Sequence, residues 1–296
     1  MSEQTFPRRA LILMILLTIV WGTNWPMFKL ATREVSVWTF RALSVPIAGL
    51  TILAYARICG HSLRVPRRYW KTIFGATMCY LVVWNIASTY AAVMIPSGQA
   101  AVLGFTMPLW SAAISWLVLG EKLSLRLAAA LALGASAVLL LMVPGWSAYA
   151  QAPVGFAMGL AAGLGWAVGS LILKRGAVAV PVAVLTGWQL MLTSVPMILG
   201  AATLGDYNWF MPSWQTIALV LYIALVPMSI GNVTWFSIVG LLPVNVAGLS
   251  AIMVPVVAML TGTLLMGEPL GFVQLAAMVC SVSALSLVLL KPASVR

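Results

Sequence analysis

Apolar residues run through this chain in long blocks, and polar residues arrive in short clusters between them. The blocks do not alternate with period two, so they predict helices rather than strands. A membrane span needs about 20 apolar residues to cross roughly 30 Å of hydrocarbon. On that measure the pattern predicts ten helices, near 10–30, 36–56, 70–91, 97–119, 125–143, 153–173, 182–203, 214–238, 244–266 and 271–290. The connections are short, so successive helices are expected to be antiparallel neighbours.

The polar punctuation repeats. Pro96, Ala100, Pro108, Leu117, Gly120, Glu121 and Leu123 recur 147 positions later as Pro243, Ala247, Pro255, Leu264, Gly267, Glu268 and Leu270. Asn85 and Asn232 stand at the same interval, and Trp21 and Lys29 share the spacing of Trp166 and Lys174. We therefore read two units, 1–147 and 148–296, joined near Val143-Pro144-Gly145-Trp146-Ser147. Five helices per unit is an odd number, so the second unit inserts in the opposite sense. The expected fold class is an all-α integral membrane protein: ten transmembrane helices as two inverted five-helix repeats. Such doubling is the architecture of carriers with a central site.

Composition agrees with lipid as the solvent. The chain is 62% hydrophobic and 7% charged, against roughly a quarter charged in soluble domains. A net charge of +11 would suggest nucleic acid in a soluble protein. Here the bases read as topology signals instead, and no nucleic-acid partner is expected. With the N-terminus cytoplasmic, thirteen of the sixteen bases face the cytoplasm; Lys29 and Arg33 face outward and Arg41 lies within the second helix. Both termini are then cytoplasmic. Arg8 and Arg9 precede an apolar run with no small-residue cleavage site, so that run is read as a retained first helix. Trp38, Trp70, Trp146, Trp209 and Trp214 fall near predicted helix ends, as an interfacial aromatic belt requires.

Several chemistries lose their usual residues. Cys59, Cys79 and Cys280 are scattered and His61 is the only histidine, so no metal site or histidine-dependent triad is expected. No phosphate-binding G-x-x-x-x-G-K-[ST] occurs. No cofactor and no enzymatic activity are expected. Glu121 and Glu268 are predicted at opposite membrane faces, and no acid lies mid-membrane, which disfavours a carboxylate proton relay. Downhill movement is the simplest energetic scheme.

The whole pattern resembles the drug/metabolite transporter superfamily, in its ten-helix EamA-type branch. Trp21-Gly22-Thr23-Asn24 with Lys29, Arg41, Pro108 and Gly120-Glu121-Lys122-Leu123 carry the resemblance in the first unit. Trp166 with Lys174, Gln189, Pro255 and Gly267-Glu268-Pro269-Leu270 carry it in the second. It implies an exporter of small metabolites in the bacterial inner membrane. Tryptophans in the middle of several helices are similar to those of aromatic amino acid exporters of the YddG type. By local alignment with them, Trp84, Asn85, Phe105 and Trp166 become cavity candidates.

The residues themselves extend that set. Asn24, Asn85, Asn232, Gln99, Gln189 and Thr106 are polar groups at expected bilayer depth, where they line water, ligand or another helix. Asn85 and Asn232 stand out, because their symmetric spacing puts them at matching depths. Tyr80, Trp84 and Ser88 share one face of their helix, as do Trp21 and Trp25 of theirs. The expected substrate site is thus Trp21, Asn24, Trp25, Tyr80, Trp84, Asn85, Ser88, Phe105, Trp166 and Asn232. Lipid-facing packing is the competing role for any single ring. Pro108 and Pro255 are symmetry mates and candidate hinges, static curvature being the alternative. Gly155, Gly159 and Gly163 read as a close-packing ridge. Arg41 could meet a substrate carboxylate, or snorkel or pair locally.

The expected partners are a small-molecule substrate, an amino acid or amphipathic metabolite with aromatic ones preferred, and membrane lipid. One chain holds both units, so a monomer suffices. A multidrug exporter, a channel and a membrane enzyme are the rival classes; the enzyme would need clustered acids, histidines or metal ligands.

Overall fold

The helical stretches fall where hydropathy places them. The computed structural model describes residues 8–119, 124–142, 152–206, 211–241 and 253–289. Their helices are α1 (Arg8–Ala31), α2 (Val37–Ile58), α3 (Trp70–Thr77), α4 (Val83–Met94), α5 (Ser97–Gly104), α6 (Met107–Leu119), α7 (Leu125–Met142), α8 (Pro153–Arg175), α9 (Val182–Leu204), α10 (Trp214–Ile223), α11 (Gly231–Leu241), α12 (Val254–Met266) and α13 (Phe272–Leu289). No strand occurs among the described residues.

Seven helical stretches are long and apolar enough to cross a membrane: Arg8–Ala31, Val37–Ile58, Arg67–Met94, Ser97–Val118, Pro153–Arg175, Val182–Leu204 and Trp214–Trp235. Ala128–Leu140, Val254–Met266 and Phe272–Leu287 are shorter apolar helices. Residues 244–252 of the expected ninth helix lie outside the described residues, as does the expected junction at 143–147. The outer surface is apolar. The first half of α1 exposes Leu11, Ile12, Ile15, Leu16 and Ile19. Its second half buries Gly22, Trp25, Pro26, Phe28 and Ala31.

Local chemistry sets the helix ends. The Ser36 hydroxyl accepts from the Thr39 N–H and caps α2. The Ser213 hydroxyl caps α10 in the same way. Carboxylates clip these two starts across the molecule: Asp206 accepts from the Ser36 N–H at 2.9 Å, and Glu34 from the Ser213 N–H at 2.7 Å. Gly267 ends α12 with φ +64, a left-handed turn that costs glycine nothing. The Glu268 N–H then bonds back to the Gly262 carbonyl, which turns the carboxylate side chain inward.

The third and eighth predicted helices are not continuous α-helix. A π-helical segment, Met78–Val82, joins α3 to α4, and a second, Ala224–Ile230, joins α10 to α11. Moved by the 147-residue interval, the first lands inside the second. Pro227 accounts for the second, because proline has no N–H and its ring displaces the preceding turn. The first contains no proline and is accommodated by a flat partner. A Cβ on Gly165 of α8 would lie 2.5 Å from the Cys79 carbonyl, and one on Gly169 would lie 2.1 Å from the Tyr80 Cβ. Gly169→Ala is therefore expected to lower stability by about 1–3 kcal/mol, the usual cost of overpacking. Thermal unfolding of the purified protein measures this; an unchanged midpoint would refute so close an approach.

The fourth predicted helix is also broken. α5 stops at Gly104, Phe105 and Thr106 form a turn, and α6 begins at Met107 with Pro108 in its second position. Pro255 is likewise the second residue of α12. Proline tolerates a first turn because its missing N–H has no helical partner there. The glycine ridge of α8 packs as expected: Cβ atoms on Gly155, Gly159 and Gly163 would strike Met94, Leu103 and the Thr106 hydroxyl.

The main packing runs between the two halves of the chain. α2 lies along α9, α7 along α13, α8 against α4 and α5, and α1 against α12 and α11. Gly22 allows the close approach of α1 to α12, where a Cβ would sit 2.4 Å from Val257. α6 also packs on α8. These contacts come in counterpart pairs, since α1 stands to α11 and α12 as α8 stands to α4 and α6.

Candidate functional site

Both π-helical segments face one cavity of ≈ 110 Å³. Nine of the ten residues expected from the sequence line it: Trp21, Asn24, Trp25, Tyr80, Trp84, Asn85, Phe105, Trp166 and Asn232. Ser88 is not among its lining residues. Its hydroxyl donates to the Trp84 carbonyl, and the residue is fully buried. An i, i+4, i+8 spacing shares one face only in regular α-geometry, and the wider π turns before Trp84 change the phase between Tyr80 and Ser88.

Aromatic rings form the wall. Trp84 is central: its ring lies 6.0 Å from Trp25, 6.3 Å from Phe105 and 4.8 Å from Trp166, all edge-on. Tyr80 meets Trp166 at 4.6 Å with the planes at 87°. Edge-to-face pairs of this kind contribute about 0.5–1.5 kcal/mol each beyond burial. Gly104 makes room, since a Cβ there would lie 2.8 Å from Trp25. The break after α5 is what turns Phe105 toward the other rings.

The two asparagines do equivalent work. The Asn85 amide donates to the Leu81 carbonyl at 2.8 Å, and the Asn232 amide donates to the Met228 carbonyl. Both carbonyls belong to π-helical segments, whose irregular turns leave backbone groups to be matched. Trp21 adds a third such bond, its indole N–H reaching the Pro227 carbonyl at 3.1 Å. These contacts differ from the interhelical amide bonds weighed against a ligand role. The Asn24 Oδ1 is buried with no partner. Gln189 is buried too, but it is not among the cavity-lining residues.

Arg41 also lines the cavity and is 2% exposed. Its Nε–H is shared by the Asn85 carbonyl at 3.0 Å and the Thr89 hydroxyl at 2.7 Å. Its guanidinium carbon lies 4.5 Å from the Phe28 ring centre and 4.8 Å from that of Phe40. Removing an ion from water costs several kcal/mol, while a cation–ring contact returns about 0.5–2 kcal/mol. The side chain neither snorkels nor forms an ion pair among the described residues.

A separate cluster ties three chain segments together. Lys29 at the end of α1 meets Glu268 after α12 at 2.7 Å. The Ser97 N–H and hydroxyl, at the start of α5, donate to the same carboxylate at 2.8 and 2.7 Å. Burial raises the Glu268 carboxyl pKa, but Lys29 and Ser97 outweigh it and hold the group below its ordinary value. Gly262 leaves the space, for a Cβ there would lie 2.3 Å from Glu268 Oε2. Hydropathy alone places Glu268 at a helix end and misses this role. A signal was available, since Lys29 and Glu268 end spans predicted to finish on the same face. Glu121, its repeat mate, lies outside the described residues.

The model of the EamA-like transporter family matches the chain twice, over residues 8–143 and 153–290. The uncharacterized transporter YvbV of Bacillus subtilis (strain 168) is 23% identical over 280 residues, 95% of this chain and 91% of that protein. A protein of Salmonella typhimurium named a probable amino-acid metabolite efflux pump is 25% identical, covering 92% of each chain. The uncharacterized inner membrane transporter YedA of Escherichia coli (strain K12) is 25% identical over 93% of this chain and 88% of its own. A solved crystal structure superposes with a TM-score of 0.67 at 21% identity, covering 96% of this chain and 98% of that one. That likeness concerns the fold.

Proposed function

The chain belongs to the EamA-like transporter family, and from that premise we propose that it exports small metabolites, amino acids with aromatic side chains foremost, by alternating access. The observation that carries this reading is the cavity where both π-helical segments meet a wall of tryptophans. Symmetry-related irregular helices around one central space are how inverted-repeat carriers hold substrate. The Salmonella relative's name supports amino acids as the substrate class. Trp21, Asn24, Trp25, Tyr80, Trp84, Asn85, Phe105, Trp166 and Asn232 form the proposed site.

Ten crossings in two inverted units, 1–147 and 148–296, complete the proposal. Two family matches in tandem and the paired cross-half contacts support it. Both termini lie in the cytoplasm, on the positive-inside argument, and the membrane is the bacterial inner membrane, as YedA's name suggests. Lys29, Ser97 and Glu268 then close the outward side. The cavity of ≈ 110 Å³ is smaller than the roughly 300 Å³ at which ligand pockets begin, so loading requires it to widen. Pro108 and Pro255, each at a helix start, are the proposed hinges.

The test is counterflow in liposomes with radiolabelled phenylalanine, threonine and a quaternary ammonium drug. Saturable phenylalanine flux is expected. No saturable flux of any of the three would end the exporter reading. Threonine flux without phenylalanine flux would end the aromatic preference. Drug flux alone would favour a multidrug exporter.

A further inference from the structure

The cavity holds a cation but no anion. Three carboxylates occur among the described residues, and all are engaged elsewhere: Glu34 with Ser213, Asp206 with Ser36, and Glu268 with Lys29 and Ser97. None reaches Arg41. We infer that Arg41 binds the carboxylate of the substrate, and that the transported class is carboxylate-bearing amphiphiles, α-amino acids above all, rather than cationic drugs. The inference rests on the reading of this cavity as the substrate site.

The geometry leaves one edge of the guanidinium for a ligand. The Nε–H is taken by α4, through the Asn85 carbonyl and Thr89 hydroxyl. Phe28 and Phe40 lie against the group within 5 Å. Nη1 meets only the Met228 thioether, at 3.8 Å, and Nη2 has no partner among the described residues. A sulfur is a weak acceptor. A guanidinium edge with free N–H groups in a fixed fork matches a carboxylate.

A second observation points the same way. Asn24 lines the cavity, and its Oδ1 is buried and accepts no hydrogen bond. Asn24 stands one helical turn before Phe28, whose ring carries the Arg41 cation. An unpaired acceptor and unpaired cationic donors on residues lining one cavity suit a zwitterion. The substrate's carboxylate meets Arg41, its ammonium turns toward Asn24, and its side chain lies among Trp25, Trp84, Phe105 and Trp166. The cavity then reads both charges as well as the apolar body. A cation without a carboxylate leaves Arg41 unmatched and adds a like charge.

Binding to the purified full-length protein tests this separately from flux. Three ligands differ by one group each: L-phenylalanine, 3-phenylpropionate without the amine, and 2-phenylethylamine without the carboxylate. Intrinsic tryptophan fluorescence reports affinity. Wild-type protein is expected to bind both carboxylates, and the amine at least about tenfold more weakly. Arg41→Gln should erase that preference, bringing phenylalanine and the amine within about threefold of each other, and Arg41→Lys should restore part of it. Equal binding of the amine by wild type overturns the inference. So does an intact preference in Arg41→Gln, or failure of wild type to bind either carboxylate. The wild-type series needs no variant to fold. Phenylalanine flux with no preference between ligands sinks the Arg41 role alone; preference without any flux sinks the exporter reading and leaves Arg41 in place.

Discussion

Trp84→Ala is expected to raise the KM for aromatic substrate by about tenfold or more, equivalent to about 1.4 kcal/mol of binding. Trp84 touches Trp25, Phe105 and Trp166, which come from three separate helical segments. Three edge-on pairs at about 0.5–1.5 kcal/mol each make this ring the largest single contributor to the wall, although neighbouring contacts do not add simply. Its loss removes a stacking surface and loosens the other three rings. The effect should fall on KM more than on the maximal rate, because the ring shapes the site and not the gate. Trp84→Phe should recover most of the affinity. Leu139→Ala, on the lipid-facing surface and 60% exposed, should leave transport unchanged. Proteoliposome kinetics, normalised to protein in the membrane, decide the matter. A wild-type KM in Trp84→Ala would remove the aromatic wall from the substrate site.

Much of this arrangement is legible in the chain itself. Spans are set by long-range composition, which no local packing overrides, so helix positions follow from hydropathy. Part of the cavity lining follows from two simple physical filters. Polar groups at bilayer depth need a reason to be there, and symmetric spacing puts Asn85 and Asn232 at equivalent depths. Trp84 adjoins Asn85 in the chain, and Tyr80 lies about one turn before Trp84.

Other features leave no such trace. A π-helical turn shifts backbone phase without changing composition, so the Met78–Val82 segment is silent, and Ser88 falls off the face that regular spacing gives it. Pro227 marks its counterpart only as a bend. Phe28, Met107, Thr186, Leu190 and Met228 enter the lining because neighbouring helices aim them there. A single side chain's aim depends on interhelical rotation, which the hydropathy of one span does not fix. Arg41 is legible as an anomaly, a base within a span. That it is buried against Phe28 and Phe40 depends on how α1 and α2 cross.

Glu268→Gln is expected to open the side of the molecule proposed to face outward, shifting the conformational balance by about ten- to a hundredfold, the equivalent of about 1.4–2.7 kcal/mol. The carboxylate holds three chain ends at once, through Lys29 of α1 and the Ser97 N–H and hydroxyl of α5. Charge-assisted hydrogen bonds contribute about 1.5–3 kcal/mol each, and a negative charge at a helix N-terminus about 0.3–1 kcal/mol more. Glutamine keeps the shape but loses the charge. Amide hydrogen exchange over 97–104 should accelerate in the variant. The charge swap Lys29→Glu with Glu268→Lys should recover little, because an ammonium in place of the carboxylate cannot accept from Ser97. That separates a three-way clasp from a plain ion pair. The pH response has a definite sign. The folded carboxyl titrates below its ordinary value, so its contribution is complete above that ordinary value, about pH 4.3. It is lost only as pH falls through the lower, folded value. The clasp should therefore hold unchanged from about pH 5 to 8 and release in stronger acid. Exchange over 97–104 that is already fast at about pH 6 in wild type, or equal in wild type and Glu268→Gln, would show that the clasp does not hold the outward side closed.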